Sequence, residues 1–229
     1  MSIHSEVNSE SISEALLTGK KPLLRGHFHQ EGFFIAIGAC AMLVAKGNDF
    51  RSTMALVIYS ISLIGLLGIS ALYHRPYWNS KNRAVMKKLD HAAIFLLIAG
   101  TGTPVCLIGM NSPEGDRLLL LFWTAAVIGA CQAIFWSKAP RFVSSAMYII
   151  VGWMAVPYLP EMETSLGFVN AVLLLVGGVI YSLGALVYAF KYPNPSPKYF
   201  GYHEIFHIIV IIAAIFHFLV INSISSRLM

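Results

Sequence analysis

Apolar residues run through this chain in long blocks separated by short polar breaks. A helix needs roughly 20 apolar residues to cross the hydrocarbon of a bilayer. The blocks accordingly predict spans at about 29–46, 52–74, 90–110, 118–137, 142–158, 167–190 and 203–222. The second block, from Ser52 to Tyr73, and the sixth, from Gly167 to Phe190, contain no charged residue. The fifth is the weakest, being short and ending in Pro157 and Pro160. Gly100, Gly102 and Pro104 predict a kink in the third, tolerable where neighbouring helices cover the freed backbone groups. The expected fold is an all-α membrane protein, a bundle of seven transmembrane helices over residues 27–229 behind a polar tail over residues 1–26. The tail has neither an apolar core nor a small-residue cleavage site, so no removed signal peptide is expected.

Composition sharpens this picture. Of 229 residues, 57% are hydrophobic and 12% charged, with a mean hydropathy of +0.69. A soluble domain is about a quarter charged. Seven spans take up roughly 140 residues, which leaves no length for a separate soluble domain. The net charge of +5 would point a soluble chain toward nucleic acid, but here Lys and Arg sit in short loops between apolar blocks, so no nucleic-acid partner is expected. Of the 16 Lys and Arg, all but Lys46, Arg51, Arg117 and Arg227 fall on one side of the expected bundle. The positive-inside rule then places the N-terminus in the cytoplasm and, with seven spans, the C-terminus outside, in a multi-pass protein of the bacterial inner membrane. Cys40, Cys106 and Cys131 occupy three different apolar blocks with no CxxC pair, and read as inert buried thiols.

Ionisable groups in or at the ends of spans are costly and mark functional candidates. Ser70 and His74 end span two, Asp90 and His91 open span three, and His203, Glu204 and His207 open span seven. The charge bias puts all three groups at one depth, near the cytoplasmic face, although none of these residues contributes to it. His203 and His207 are four apart and share a helix face, as do Ser70 and His74. Three imidazoles from two helices, with water in the fourth position, would make an open zinc site, and a nitrogen-rich set favours zinc over calcium or magnesium. The expected metal ligands are His74, His203 and His207, with Asp90 and Ser70 as the catalytic pair beside them. His91 points about 100° away from Asp90 along the helix and is set aside.

His203-Glu204-Ile205-Phe206-His207 also fits the HExxH pattern of zinc proteases. The downstream ligand or Asp-bearing helix that proteases of this kind require is missing, so a peptidase is disfavoured and the role of Glu204 stays open. His217 lies about 15 Å deeper than His207, too far for the same metal, and is read as bonding a neighbouring helix or relaying protons. His27, His29 and Glu31 stand at the mouth of span one; they are read first as interfacial anchors, with a place at the edge of the site as the alternative. The basic loop from Arg75 to Lys88 is read as positive-inside retention, with anionic headgroup binding as the alternative.

The segments Pro22-Leu-Leu-Arg-Gly-His-Phe-His29, Ser70-Ala-Leu-Tyr-His74, Leu89-Asp90-His91, Ile98-Ala-Gly-Thr-Gly-Thr-Pro104 and Gly201-Tyr-His-Glu-Ile-Phe-His207 resemble the hemolysin III branch of the progestin and adipoQ receptor family, over about Pro22 to Val220. The trio of SxxxH, Asp and HxxxH is also similar to that of alkaline ceramidases. The resemblance implies zinc held by His74, His203 and His207 near the cytoplasmic side, with Ser70 and Asp90 close to it. It further implies membrane lipids as partners, and either lipid amide hydrolysis, a role in lipid homeostasis, or cytolysis. At Glu204 the adiponectin-type receptors have Gln, which puts an essential base role for this residue in doubt. Three functions are compatible with these residues. The first is a zinc-dependent hydrolase of a lipid amide or ester, with Asp90 as proton acceptor and Ser70 orienting water or the oxyanion. The second is a pore or cytolysin, and the third a non-enzymatic sensor of membrane state. Oligomer formation is left open.

Overall fold

The computed structural model describes residues 22–228, so most of the tail expected over 1–26 lies outside the described residues. The elements are α1 (His27–Val44), α2 (Phe50–His74), α3 (Ser80–Pro104), a π-helical turn (Val105–Met110), α4 (Pro113–Phe135), α5 (Arg141–Trp153), a 3-10 turn (Val156–Tyr158), α6 (Leu159–Leu166), α7 (Phe168–Phe190) and α8 (Tyr202–Ser225). The described residues form no strand beyond one isolated bridge, Ser196 to Phe200. Helices adjacent in sequence pack on one another, α1 on α2, α2 on α3, α3 on α4 and α7 on α8; α5 packs on α7, and α1 returns to α8.

The helix starts follow local side-chain chemistry. Asp49 caps α2, accepting from the Ser52 N–H at 2.7 Å, and Asn79 caps α3, accepting from the Asn82 N–H at 2.8 Å. Each satisfies one of the orphan donors of a first turn. The Asn79 cap starts α3 ten residues before the apolar block that predicted it, so Asp90 lies within a continuous helix rather than at its mouth.

Among the described residues, six runs are long and apolar enough to cross a membrane: Phe50–His74, Ser80–Met110, Pro113–Phe135, Arg141–Leu166, Phe168–Phe190 and Tyr202–Ser225. The expectation of seven exceeds this by one, and α1 is the difference. It is 18 residues long, and its first turns carry His27, His29, Gln30 and Glu31, which dilute its apolarity. The expected fifth span at 142–158 is corrected to a broken run of 26 residues. Pro157 and Pro160 lack the N–H that would continue α5, so the chain passes through a 3-10 turn and restarts as α6. The kink expected near Pro104 takes the form of the π-helical turn that follows it. Here α3 also approaches α2 closely, since a Cβ on Gly100 would lie 2.1 Å from the Ser62 hydroxyl; small residues let membrane helices meet at backbone distance.

Candidate metal centre

The last turns of α2, the third turn of α3 and the first turns of α8 meet at one end of the bundle. His74, His203 and His207 are all buried, and one ligand nitrogen from each lies within 4.8 Å of the others. The Nε2 atoms of His74 and His203 face each other at 3.1 Å. The ring centroids of His207 stand 4.5 Å from His203 and 5.0 Å from His74. Asp90 sits beside them, its Oδ2 3.7 Å from His74 Nε2, and the Ser70 hydroxyl faces the same carboxyl group.

The donor set fits a metal ion. Tetrahedral zinc with Zn–N bonds of about 2.0–2.1 Å places its nitrogens about 3.3–3.4 Å apart, close to the His74–His203 separation. His207 Nδ1 is buried with no hydrogen-bond partner among the described residues, and buried polar groups ordinarily have one. Three imidazoles leave one position of a tetrahedron for another ligand.

His29 follows the alternative reading, at the edge of the site, rather than the anchor. It is 2% exposed rather than interfacial, and its ring stacks on His207 at 3.8 Å and 7°, with neither ring nitrogen bonded within the described residues. Gly26 makes this approach possible. Its φ of 80° falls in the left-handed region, and a Cβ there would lie 2.8 Å from His74 Cβ, so only glycine lets the start of α1 close over the end of α2. The sequence signal was available in the Arg-Gly-His-Phe-His string, but a His at a helix mouth reads as an anchor until the turn before it is known.

Glu204 is fully buried and already engaged. One carboxylate oxygen accepts from the Gly201 N–H at 2.7 Å; the other pairs with the Arg25 guanidinium. The residue therefore clamps the start of α8 to the segment before α1. His91 is tied to the Lys87 carbonyl at 2.8 Å and stands 3.4 Å from the Tyr188 hydroxyl, so Asp90 rather than His91 faces the cluster. His217 donates to the Leu174 carbonyl at 3.1 Å, a bond between helices. His27 contacts Arg75 outside the cluster.

Two cavities meet at the centre. An outer vestibule is lined by Arg25, Arg83, Lys87, Arg141, Tyr188 and His203. An inner, mostly apolar cavity begins at His29, Ser70 and Asp90 and continues past Ile94, Leu97 and Gly102 to Val105 and Met162. Asp90 lines both. Along α3, the stretch from Asp90 to Val105 rises roughly 22 Å at 1.5 Å per residue, beyond the midplane of a hydrocarbon core about 30 Å thick.

Several known proteins share most of this chain. "Hemolysin-3" of Bacillus cereus is 31% identical over 195 residues, 84% of this chain and 86% of the relative. "Hemolysin-3 homolog" of Bacillus subtilis (strain 168) is 29% identical over 199 residues, 86% of this chain and 90% of the relative. "Adiponectin receptor protein" of Drosophila melanogaster is 26% identical over 83% of this chain, which spans 47% of that receptor. With six apolar runs among its described residues, the chain is a multi-pass protein of the bacterial inner membrane. The haemolysin-III related family model matches residues 17–218, and the chain belongs to that family.

Proposed function

We propose that this protein is a zinc-dependent hydrolase that cleaves an acyl amide or ester bond of a membrane lipid. The observation that carries this reading is the position of the histidine cluster and Asp90 where a polar vestibule meets an apolar cavity. An amphiphile placed there has its head in the vestibule, its chain among the helices and its acyl linkage at Asp90. A zinc ion on His74, His203 and His207 would act as a Lewis acid toward the acyl carbonyl and lower the pKa of water toward about 7.

The chain's own residues supply the rest. Asp90 takes a proton from the attacking water on a carboxylate oxygen and returns it to the departing amine or alcohol as the C–N or C–O bond breaks. Ser70 faces that carboxylate and orients the attacking water. Leu66, Ile94 and Leu97 line the inner side and keep bulk water from the linkage. Arg25 and Glu204 hold the start of α8, and so the spacing of His203 and His207.

The topology belongs to the same proposal. α1 counts as a seventh crossing helix, with the end that carries the centre in the cytoplasm and the C-terminus outside; the Lys and Arg distribution supports this orientation. A transbilayer aqueous pore calls for polar lining through the full thickness, whereas the lining of the inner cavity is mostly apolar.

The test is turnover on ceramide-like and glycerolipid substrates in bilayers, with Asp90→Asn compared to wild type. The amide cannot accept the proton at neutral pH, so Asp90→Asn retains its metal and releases no fatty acid above the background set by His74→Ala. A wild type that never exceeds this background on a broad lipid panel overturns the hydrolase in favour of a sensor with a structural metal.

A further inference from the structure

The vestibule carries more positive charge than the hydrolase reading requires. Arg25 comes from the segment before α1, Arg83 and Lys87 from the first turns of α3, and Arg141 from the start of α5. Among the described residues lining it, Asp90 is the one carboxylate, and it faces His74. Arg25 is neutralised by Glu204. The other three pair with no carboxylate among the described residues.

All three contact neutral groups, Arg83 through the Tyr73 hydroxyl. Lys87 donates to the Ser137 carbonyl at 2.9 Å. Arg141 donates to the Tyr202 hydroxyl at 2.8 Å, and its guanidinium lies 5.4 Å from the ring centroid of Tyr188 and 5.8 Å from that of Tyr202. Such contacts fix a cation's position and leave its charge uncompensated. The positive-inside rule accounts for cations in cytoplasmic loops. It does not account for cations from separate segments converging on one cavity, nor for an aromatic clamp on one of them.

A cleft lined by one sign of charge with low-dielectric walls concentrates the opposite charge. Arginine matches phosphate oxygens with paired N–H donors, and lysine adds a point charge. A neutral headgroup would leave the cations of Arg83, Lys87 and Arg141 facing no counter-charge. We infer that the vestibule binds a phosphate group, carried by the lipid whose chain occupies the inner cavity. The inference rests on the hydrolase reading only for that lipid's being cleaved. The preferred substrate is then an anionic, phosphate-bearing lipid rather than a neutral one.

The experiment uses the full chain in a neutral maltoside detergent. Three probes are titrated: dodecyl phosphate, a neutral dodecyl glycerol ether, and inorganic phosphate. None contains an acyl bond, so binding is read apart from turnover. Wild type should prefer dodecyl phosphate to the neutral ether by about tenfold or more, the scale of one charge-assisted hydrogen bond. Arg83→Gln/Arg141→Gln should abolish that preference, while Lys81→Gln, an exposed cation outside the vestibule, should leave it intact. The single variants Arg83→Gln and Arg141→Gln, each with its unfolding midpoint measured, keep the test readable if the double variant does not fold. Inorganic phosphate displacing dodecyl phosphate at equal concentration supports the phosphate site with a soluble ligand as its source; weak displacement supports the lipid. Equal affinity for charged and neutral amphiphiles in wild type, or a preference that survives in folded variants, overturns the site. Phosphate preference without lipid hydrolysis would overturn the hydrolase and leave this site standing, and hydrolysis of neutral lipids without preference would do the reverse.

Discussion

The Nε2 atoms of His74 and His203, residues 129 apart in sequence, point at each other across 3.1 Å. Two neutral imidazoles in this arrangement share one proton in a hydrogen bond, or both turn lone pairs toward a common cation. With His207 buried beside them, the second arrangement predicts about one zinc per chain, the stoichiometry of a mononuclear site. His74→Ala, and the pair His203→Ala/His207→Ala, should each purify without it. His217→Ala should retain it, because His217 is spent on the Leu174 carbonyl. Metal analysis of the purified proteins decides this; full zinc in the double variant would rule out the site.

The Arg25–Glu204 pair gives a second prediction. Glu204 is fully buried, and the Arg25 side chain is 19% exposed. Breaking a buried pair by removing one partner costs about 3–5 kcal/mol, because it strands the other charge. Glu204→Ala should lower the unfolding midpoint strongly. Glu204→Gln should lower it less, because the amide oxygen still accepts from the Gly201 N–H. Zinc content should hold in Glu204→Gln, separating a clamp from a ligand. Loss of metal with an unchanged midpoint would contradict the clamp.

Topology is the third. If α1 crosses the membrane, the two ends of the chain lie on opposite sides; if only the six apolar runs cross, they lie on the same side. Reporters at the N-terminus and within 77–86 should register the cytoplasm and one after Met229 the outside. A cytoplasmic C-terminus would remove α1 from the count of spans.

The parts of this site that were legible in the sequence share one property. His74, Asp90, His203 and His207 are ionisable residues in apolar blocks, and they stand out because membrane spans tolerate few of them. A loop-by-loop charge count then placed them at one depth, and the structure brings the three histidines within 4.8 Å. What could not be read depends on geometry between segments. His29 looks like any histidine at a helix mouth until the left-handed turn at Gly26 is seen to fold it onto His207. Beyond its polar mouth the inner cavity is lined mostly by aliphatic, aromatic and Gly residues, the same kinds that face lipid elsewhere, so little in their identity marks a void. Arg141 reads as an ordinary loop cation until Tyr188 and Tyr202, from two other helices, are placed around it. The break at Pro157 and Pro160 was visible, but not that α6 resumes beyond it and carries Met162 into the cavity wall.

The inner cavity supplies the last prediction. Gly152 on α5 and Gly178 on α7 both line it, and a Cβ added at either meets nothing within 4 Å. A leucine there enters space that the proposal assigns to an acyl chain. Gly177, one residue earlier, is a different case, since a Cβ there would lie 2.4 Å from the His217 ring. Gly178→Leu and Gly152→Leu should therefore leave the unfolding midpoint and zinc content near wild type and act on chain length alone. Each displaced methylene forfeits about 0.8 kcal/mol of burial, so losing two to four of them raises KM for long-chain substrates by roughly tenfold to a few hundredfold. Short-chain analogues, which do not reach that depth, should be turned over as before. Gly177→Leu should instead lower the midpoint, through its collision with His217. The comparison is a chain-length series of KM values on the three variants. If Gly178→Leu and Gly152→Leu shift long and short substrates equally, or neither, the chain lies elsewhere, and the roughly 22 Å path along α3 from Asp90 to Val105 is not its binding site.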